Sequence, residues 1–184
     1  MAAFCIVGEW DDDINVIIEF VKKILSPKST FQRRKAGGKG KVIGKFVKWL
    51  DGLYDANIKK AFIIIDQDEA CIKQLVNNFY KKIAGRKYNF KVIFHIVEKE
   101  IQTWLLADEK AISSAVGKGK TIAKVKGNLE DINDAKEKLQ KILAENNVVY
   151  TPEIAKKIAA NANIEIIAQR CPGFQRFRHS VLDC

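Results

Sequence analysis

Along this chain, short and mostly apolar runs alternate with longer segments whose apolar residues recur every three or four positions. The short runs cover residues 2–7, 61–65 and 90–97. A run with no polar alternation suits a strand covered on both faces. The longer segments cover residues 14–25, 42–53 and 68–83. Val16, Ile17, Phe20, Val21, Ile24 and Leu25 form one helical stripe, and Val42, Ile43, Phe46, Val47, Leu50 and Leu53 a second. Ala70, Cys71, Leu75, Phe79 and Ile83 form a third. Asp12 or Asp13 is the expected cap of the first helix, and Pro27 stops it. Residues 30–36 read as a short edge strand, followed by a break at Gly37-Gly38-Lys39-Gly40. Buried strands separated by helices predict a parallel sheet with helices on both faces, an α/β fold.

After about residue 98 the strand pattern stops. Residues 101–106, 131–145, 152–161 and 164–170 read as helical, and residues 116–127 as a loop with lysines and three glycines. Cys171-Pro172-Gly173 reads as a turn and residues 174–182 as a last short helix. The expected organisation is an α/β core over residues 1–108, with a helical C-terminal part, residues 109–184, packed on it. The chain has no internal repeat and no low-complexity tract.

The candidate chemistry sits where strands end. Phe62-Ile63-Ile64-Ile65-Asp66-Gln67-Asp68 sets two carboxylates at the carboxyl end of a buried strand, where ligands of open α/β sheets bind. Spacing by two lets Asp66 and Asp68 point the same way. Two hard oxygen ligands there suit Mg²⁺ or Mn²⁺. The competing reading is that Asp68 caps the next helix and Asp66 braces a turn. A second group, Glu9, Asp11, Asp12 and Asp13, follows the first strand, and Glu98 and Glu100 follow the run at 90–97. Each group alone suits the start of a helix. Their convergence on one sheet edge argues more strongly for a site than any one of them.

Charge changes the picture next. The 184 residues carry 32 Lys and Arg, 22 Asp and Glu, and a net charge of +10. Lys22, Lys23, Lys28, Arg33, Arg34, Lys35, Lys39, Lys41, Lys45 and Lys48 lie in a stretch with no acid. Without them the rest of the chain is formally neutral. A localised excess suits a polyanion-binding face; the plainer reading is a solvated basic helix. Lys41, Lys45 and Lys48 fall opposite the apolar stripe of their helix, with Arg33, Arg34 and Lys39 leading in. Gly37, Gly38 and Gly40 would let backbone N–H groups approach a phosphate. A nucleic acid is therefore the expected partner.

Composition excludes other classes. Apolar residues make up 47% and charged residues 29%, a globular composition in a length that suits one domain. No apolar run approaches membrane length, so no membrane partner is expected. Residues 1–7 lack the basic end and cleavage site of a signal peptide. Cys5, Cys71, Cys171 and Cys184 form no CxxC pair and read as reduced thiols, which suits a cytoplasmic location. Cys5 and Cys71 lie among apolar residues and are expected to be buried. His95 reads as a core histidine, and Trp104, Phe174 and Phe177 as core aromatics. The segment Ser114 to Thr121 ends like a phosphate-binding loop, but it lacks the first glycine and a preceding strand. A haloacid-dehalogenase-type site or a response-regulator receiver fits the aspartates less well.

Three pieces carry a resemblance: Ile6-Val7-Gly8-Glu9-Trp10-Asp11-Asp12, Asp66-Gln67-Asp68, and Glu98 to Asp108 with its Trp104-Leu105-Leu106-Ala107-Asp108 end. Gly37 to Gly40 and Cys171 to Phe177 extend it over nearly the whole chain. The sequence resembles a Toprim-like family of small prokaryotic proteins catalogued as a domain of unknown function. Toprim domains occur in topoisomerases, primases and certain nucleases. The resemblance implies that Asp66 and Asp68 hold a divalent metal against a phosphodiester. It also implies that a glutamate after the first strand acts as general acid or base. The family order there is Glu then Gly, whereas this chain has Gly8 then Glu9. Where the family has an acid two positions before the tryptophan, this chain has Gln102. Two functions follow as expectations. One is a metal-dependent nuclease, or another enzyme of nucleic-acid phosphodiesters, with Glu9 or Glu100 activating water. The other is a non-catalytic binding module, for example a partner of an ATPase.

Overall fold

The computed structural model describes residues 3–53, 57–67, 71–117 and 119–183. Four strands, β1 (Ala3–Gly8), β2 (Thr30–Lys35), β3 (Lys60–Asp66) and β4 (Lys91–Val97), form one parallel sheet in the order β2-β1-β3-β4. Three crossover helices join them: α1 (Asp11–Ile24), α2 (Lys39–Asp51) and α3 (Ile72–Ile83). From β1 the chain steps outward to β2, then returns past β1 to build β3 and β4. The winding reverses between β1 and β3, which makes that gap the natural crevice at the carboxyl edge.

Period-two alternation sorts the strands between two cores. Phe4, Ile6, Phe62, Ile64, Ile93 and Val97 face α1, while Cys5, Val7, Ala61, Ile63, Ile65, Phe94 and Ile96 face α2 and α3. One helix cannot cover a four-stranded face. The helical C-terminal part covers the rest, through α4 (Gln102–Leu105), α5 (Glu109–Val116), α6 (Ala135–Ala144), α7 (Pro152–Asn161), α8 (Ile164–Arg170) and α9 (Pro172–Leu182). Residues 101–108 are buried without a break. The Trp104 indole stacks on Phe177 at 5.4 Å and meets Phe20, His95 and Phe174. Burial there, with the Arg176 cation nearby, pushes the His95 pKa down to about 3, so the imidazole is neutral. Among the described residues, no helix is long and apolar enough to cross a membrane.

Several expectations need correction. Helix α1 begins at Asp11 with Trp10 as N-cap and no side-chain cap bond, so neither Asp12 nor Asp13 caps it. Helix α3 begins at Ile72, and Cys71 is exposed; residues 68–70 lie outside the described residues. Helix α5 adds to the expected elements: Asp108 caps it, accepting the N–H groups of Lys110 and Ala111. Cys171-Pro172-Gly173 is no separate turn, because Pro172 opens α9 and the Gly173 N–H donates to the Glu130 carboxylate at 2.6 Å. A Cβ at Gly173 would lie 2.7 Å from Glu130 Oε1, so a side chain there would push the carboxylate off this N–H.

Candidate functional site

The carboxyl edge gathers acids from three strand ends and one helix start. Glu9 follows β1, and its Oε1 accepts the Asp66 backbone N–H at 3.2 Å, across the gap where the winding reverses. Alternation along β3 puts Asp66 on the same side as Phe62 and Ile64, the side of α1. The first turn of α1 places Asp12 and Asp13 there, both buried. Glu100 follows β4. Like charges in a half-buried edge hold one another's protons. The Asp66 pKa is raised well above the ordinary carboxylate value by burial, then by Asp13, Glu9, Glu100 and Asp12. Burial, Asp12 and Glu9 raise the Asp13 pKa to about 7, against the Lys136 cation and a hydrogen bond from Gln102.

The helical C-terminal part supplies the counterweights. The Lys136 Nζ stands 3.2 Å from Asp12 Oδ2, and the Tyr150 hydroxyl donates to that same oxygen at 3.1 Å. Buried Gln102 donates from Nε2 to the Tyr150 hydroxyl at 3.0 Å. So Gln102, Lys136 and Tyr150 belong to the edge, although the sequence pattern points only to Gln102. Lys136 and Tyr150 are more than 120 residues from Asp12 along the chain, and no local pattern marks them.

The sequence-predicted site residues fall into separate places. Glu100 accepts the backbone N–H of Lys136 at 2.7 Å and thereby caps α6, whose own N-cap Asp134 makes no side-chain bond. Glu98 pairs with Arg176. Asp68 lies outside the described residues. A glutamate at Gly8 would force Ile14 to shift, because a Cβ there would lie 2.8 Å from Ile14 Cγ1. Glu9, one residue on, is the acid that reaches β3.

The basic residues line the neighbouring side. Arg33 is exposed on the edge strand β2, 3.6 Å from Asp11, which also pairs with Lys35 at 2.5 Å. Arg34 donates to Gln32 Oε1 at 3.0 Å. Lys39 opens α2, and Lys41, Lys45 and Lys48 are exposed along it. One amide of the glycine break is already used within the fold. Gly37 and Gly38 have φ of 77° and 122°, a region that favours glycine, and the Gly37 N–H is committed to the Glu9 carbonyl at 2.8 Å.

The donors at this edge are carboxylate oxygens, which suit hard divalent cations. Among the described residues, no three His, Cys, Asp or Glu side chains stand where they could already share a metal ion. A family model whose description reads "Domain of unknown function (DUF4276)" matches residues 16–182. No curated protein and no solved structure matches the chain.

Proposed function

We propose that this protein, which belongs to that family, is a divalent-metal-dependent enzyme of nucleic-acid phosphodiesters, centred on the edge between β1 and β3. The reaction class comes from the Toprim-like resemblance. The observation that carries the reading is the position of Asp66, surrounded by Glu9, Asp12, Asp13 and Glu100 and driven to keep its proton. A carboxylate so placed is neutral or cation-bound, and Mg²⁺ or Mn²⁺ is the cation its oxygens favour.

Asp66 and Asp68 would hold the ion. Bound there, it would supply Lewis-acid polarisation of a phosphate and stabilise the leaving oxygen. Glu9 is the general base, because its carboxylate stands at the end of β1 against the Asp66 backbone, on the crevice where the phosphate would lie. Glu100 has one oxygen on the α6 N-terminus and completes the acidic wall. Lys136 and Tyr150 keep Asp12 in place. Arg33, Arg34, Lys39, Lys41, Lys45 and Lys48 hold the phosphate backbone beside the edge.

A second reading, a non-catalytic nucleic-acid or ATPase-partner module, is favoured by two observations. Gly8 stands in the family glutamate's place with Ile14 packed against it, and no three described acids are preset for a metal. One assay separates the readings: cleavage of single- and double-stranded DNA and RNA with Mg²⁺ or Mn²⁺, by wild type and Asp66→Ala. Metal-dependent cleavage, about 100-fold or more lower in Asp66→Ala, supports the enzyme. Binding without cleavage of any of these substrates supports the module.

A further inference from the structure

The turn between β1 and α1 breaks a local rule. Trp10 is the N-cap of α1, a position where Ser, Thr, Asp or Asn would satisfy an orphan N–H, and it makes no cap bond. Its indole is 51% exposed and stacks on no aromatic ring among the described residues. A large apolar ring left in water at the rim of a crevice stabilises neither the helix nor the core. Such local violations mark functional positions.

Trp10 also lines an open cavity of about 280 Å³, together with Asp11, Asp12, Lys35, Lys136 and Pro152. That volume is just below the range of drug-sized ligand pockets, about 300–1,000 Å³, and suits a single flat ring. Its lining residues combine a tryptophan and a proline with two lysines and two aspartates. Both cations are ion-paired, Lys35 to Asp11 and Lys136 to Asp12. The Lys35–Asp11 pair is half-exposed and opens to a competing anion at little cost, whereas Lys136 stays on buried Asp12. The bond from the Gly37 N–H to the Glu9 carbonyl joins this turn directly to the middle of the basic segment.

We infer that this cavity is a nucleobase subsite: an unpaired base of single-stranded nucleic acid stacks on Trp10, and its flanking phosphates lie on Lys35 and Arg33. The inference rests on the nucleic-acid reading above and narrows it from any duplex to a strand with unpaired bases. In a duplex every base face is already stacked, so the indole has nothing to receive. Stacking on an aromatic side chain tolerates any base, so no sequence preference follows from it. Asp12, which forms part of the cavity wall, also belongs to the acidic edge. A base seated here therefore lies beside the acidic edge.

The test is fluorescence anisotropy with labelled dT12, a 12-base-pair duplex and an abasic 12-mer, all in EDTA, for wild type, Trp10→Phe and Trp10→Ala. Trp10→Ala is expected to bind dT12 about tenfold or more weakly, the size of one lost base stack. Trp10→Phe should stay within about threefold of wild type, since a phenyl ring still offers a stacking face. Duplex and abasic binding should change less than about twofold in either variant, because neither offers an unpaired base. Because Trp10 is half-exposed, both variants should keep the wild-type circular dichroism and melting temperature. Equal dT12 affinity in wild type and Trp10→Ala overturns the subsite, as does an equal loss on dT12 and the abasic strand, or no dT12 binding by wild type. Without metal, these outcomes are independent of the Asp66→Ala cleavage assay. A failed base subsite and a failed catalytic centre are thus read in different experiments.

Discussion

On one face of the sheet, α1 lies within a second helical layer, α4 to α9, where Phe20, Trp104, Phe174 and Phe177 meet without solvent exposure. On the other face α2 and α3 lie alone, with Ile43, Leu75, Val76 and Ile83 only partly buried. A cleft of about 250 Å³ opens between them, lined by Ile43, Leu75, Asn78, Phe79 and Lys82. The thick side carries Lys136 and Tyr150 up to the acidic edge and closes it from that direction. The thin side keeps its lysines in water. The difference teaches that the C-terminal helices are part of the candidate site, because they fix the charge balance of the aspartates in α1. The basic segment flanks the edge without neutralising it.

The contrast in packing gives the largest expected effect. Trp104→Ala should lower unfolding free energy by about 3–5 kcal/mol in denaturant titrations, the range for a large aromatic removed from a tight core. Leu75→Ala, on the thin side and half-buried, should cost less than half as much. Equal losses would erase the distinction between the two faces.

Next comes pH. The folded pKa of Asp13 is about 7, above its ordinary carboxylate value, so the native state holds a proton that the unfolded chain releases near pH 4. The associated stability is fully present below about pH 4 and is lost as pH rises towards 7. Asp13→Asn keeps the site neutral at every pH. The stability of wild type relative to Asp13→Asn should therefore fall by a few kcal/mol between about pH 4 and pH 8 in EDTA. A flat difference would mean that the thick side already neutralises the edge.

A smaller effect belongs to the β1 turn. Gly8→Ala pushes a Cβ to within 2.8 Å of Ile14 Cγ1 and should cost about 1–3 kcal/mol. In an Ile14→Ala background, which lacks the γ carbons, Gly8→Ala should cost less than it does in wild type. The smallest effect on stability, within about 0.5 kcal/mol, is expected for Lys41, Lys45 and Lys48 all changed to Gln, since all three are exposed. Their effect is on binding: affinity for DNA should fall, and the log–log salt slope should shrink by roughly 0.9 for each duplex phosphate that is no longer neutralised. An unchanged slope would make the thin side a solvated surface only.

Much of this architecture is legible in the sequence. The continuous run Ala61 to Ile65 announces a doubly covered strand, and the acids after the first, third and fourth strands announce a crowded edge. Cys71 misleads because helical spacing counts it inward, while the helix starts only at Ile72. Helix α5 carries its own signals, the Asp108 cap and Ala111, Ile112 and Ala115, but they are easily passed over between a buried tryptophan segment and a glycine-rich loop. Lys136 and Tyr150 are not readable from the chain, because packing alone brings them to Asp12. The Cys171-Pro172-Gly173 motif has a packing reason as well, the Glu130 carboxylate that holds the Gly173 N–H.

The central claim is that the edge between β1 and β3 takes a divalent cation, and calorimetric titration of Mn²⁺ into the protein near pH 7 tests it most directly. Expected are one saturable site, about tenfold or more weaker in Asp66→Asn, and proton release on binding, because the raised pKa values of Asp13 and Asp66 mean that the ion displaces protons. Equal affinity in wild type and Asp66→Asn, or no saturable Mn²⁺ binding at all, would contradict it.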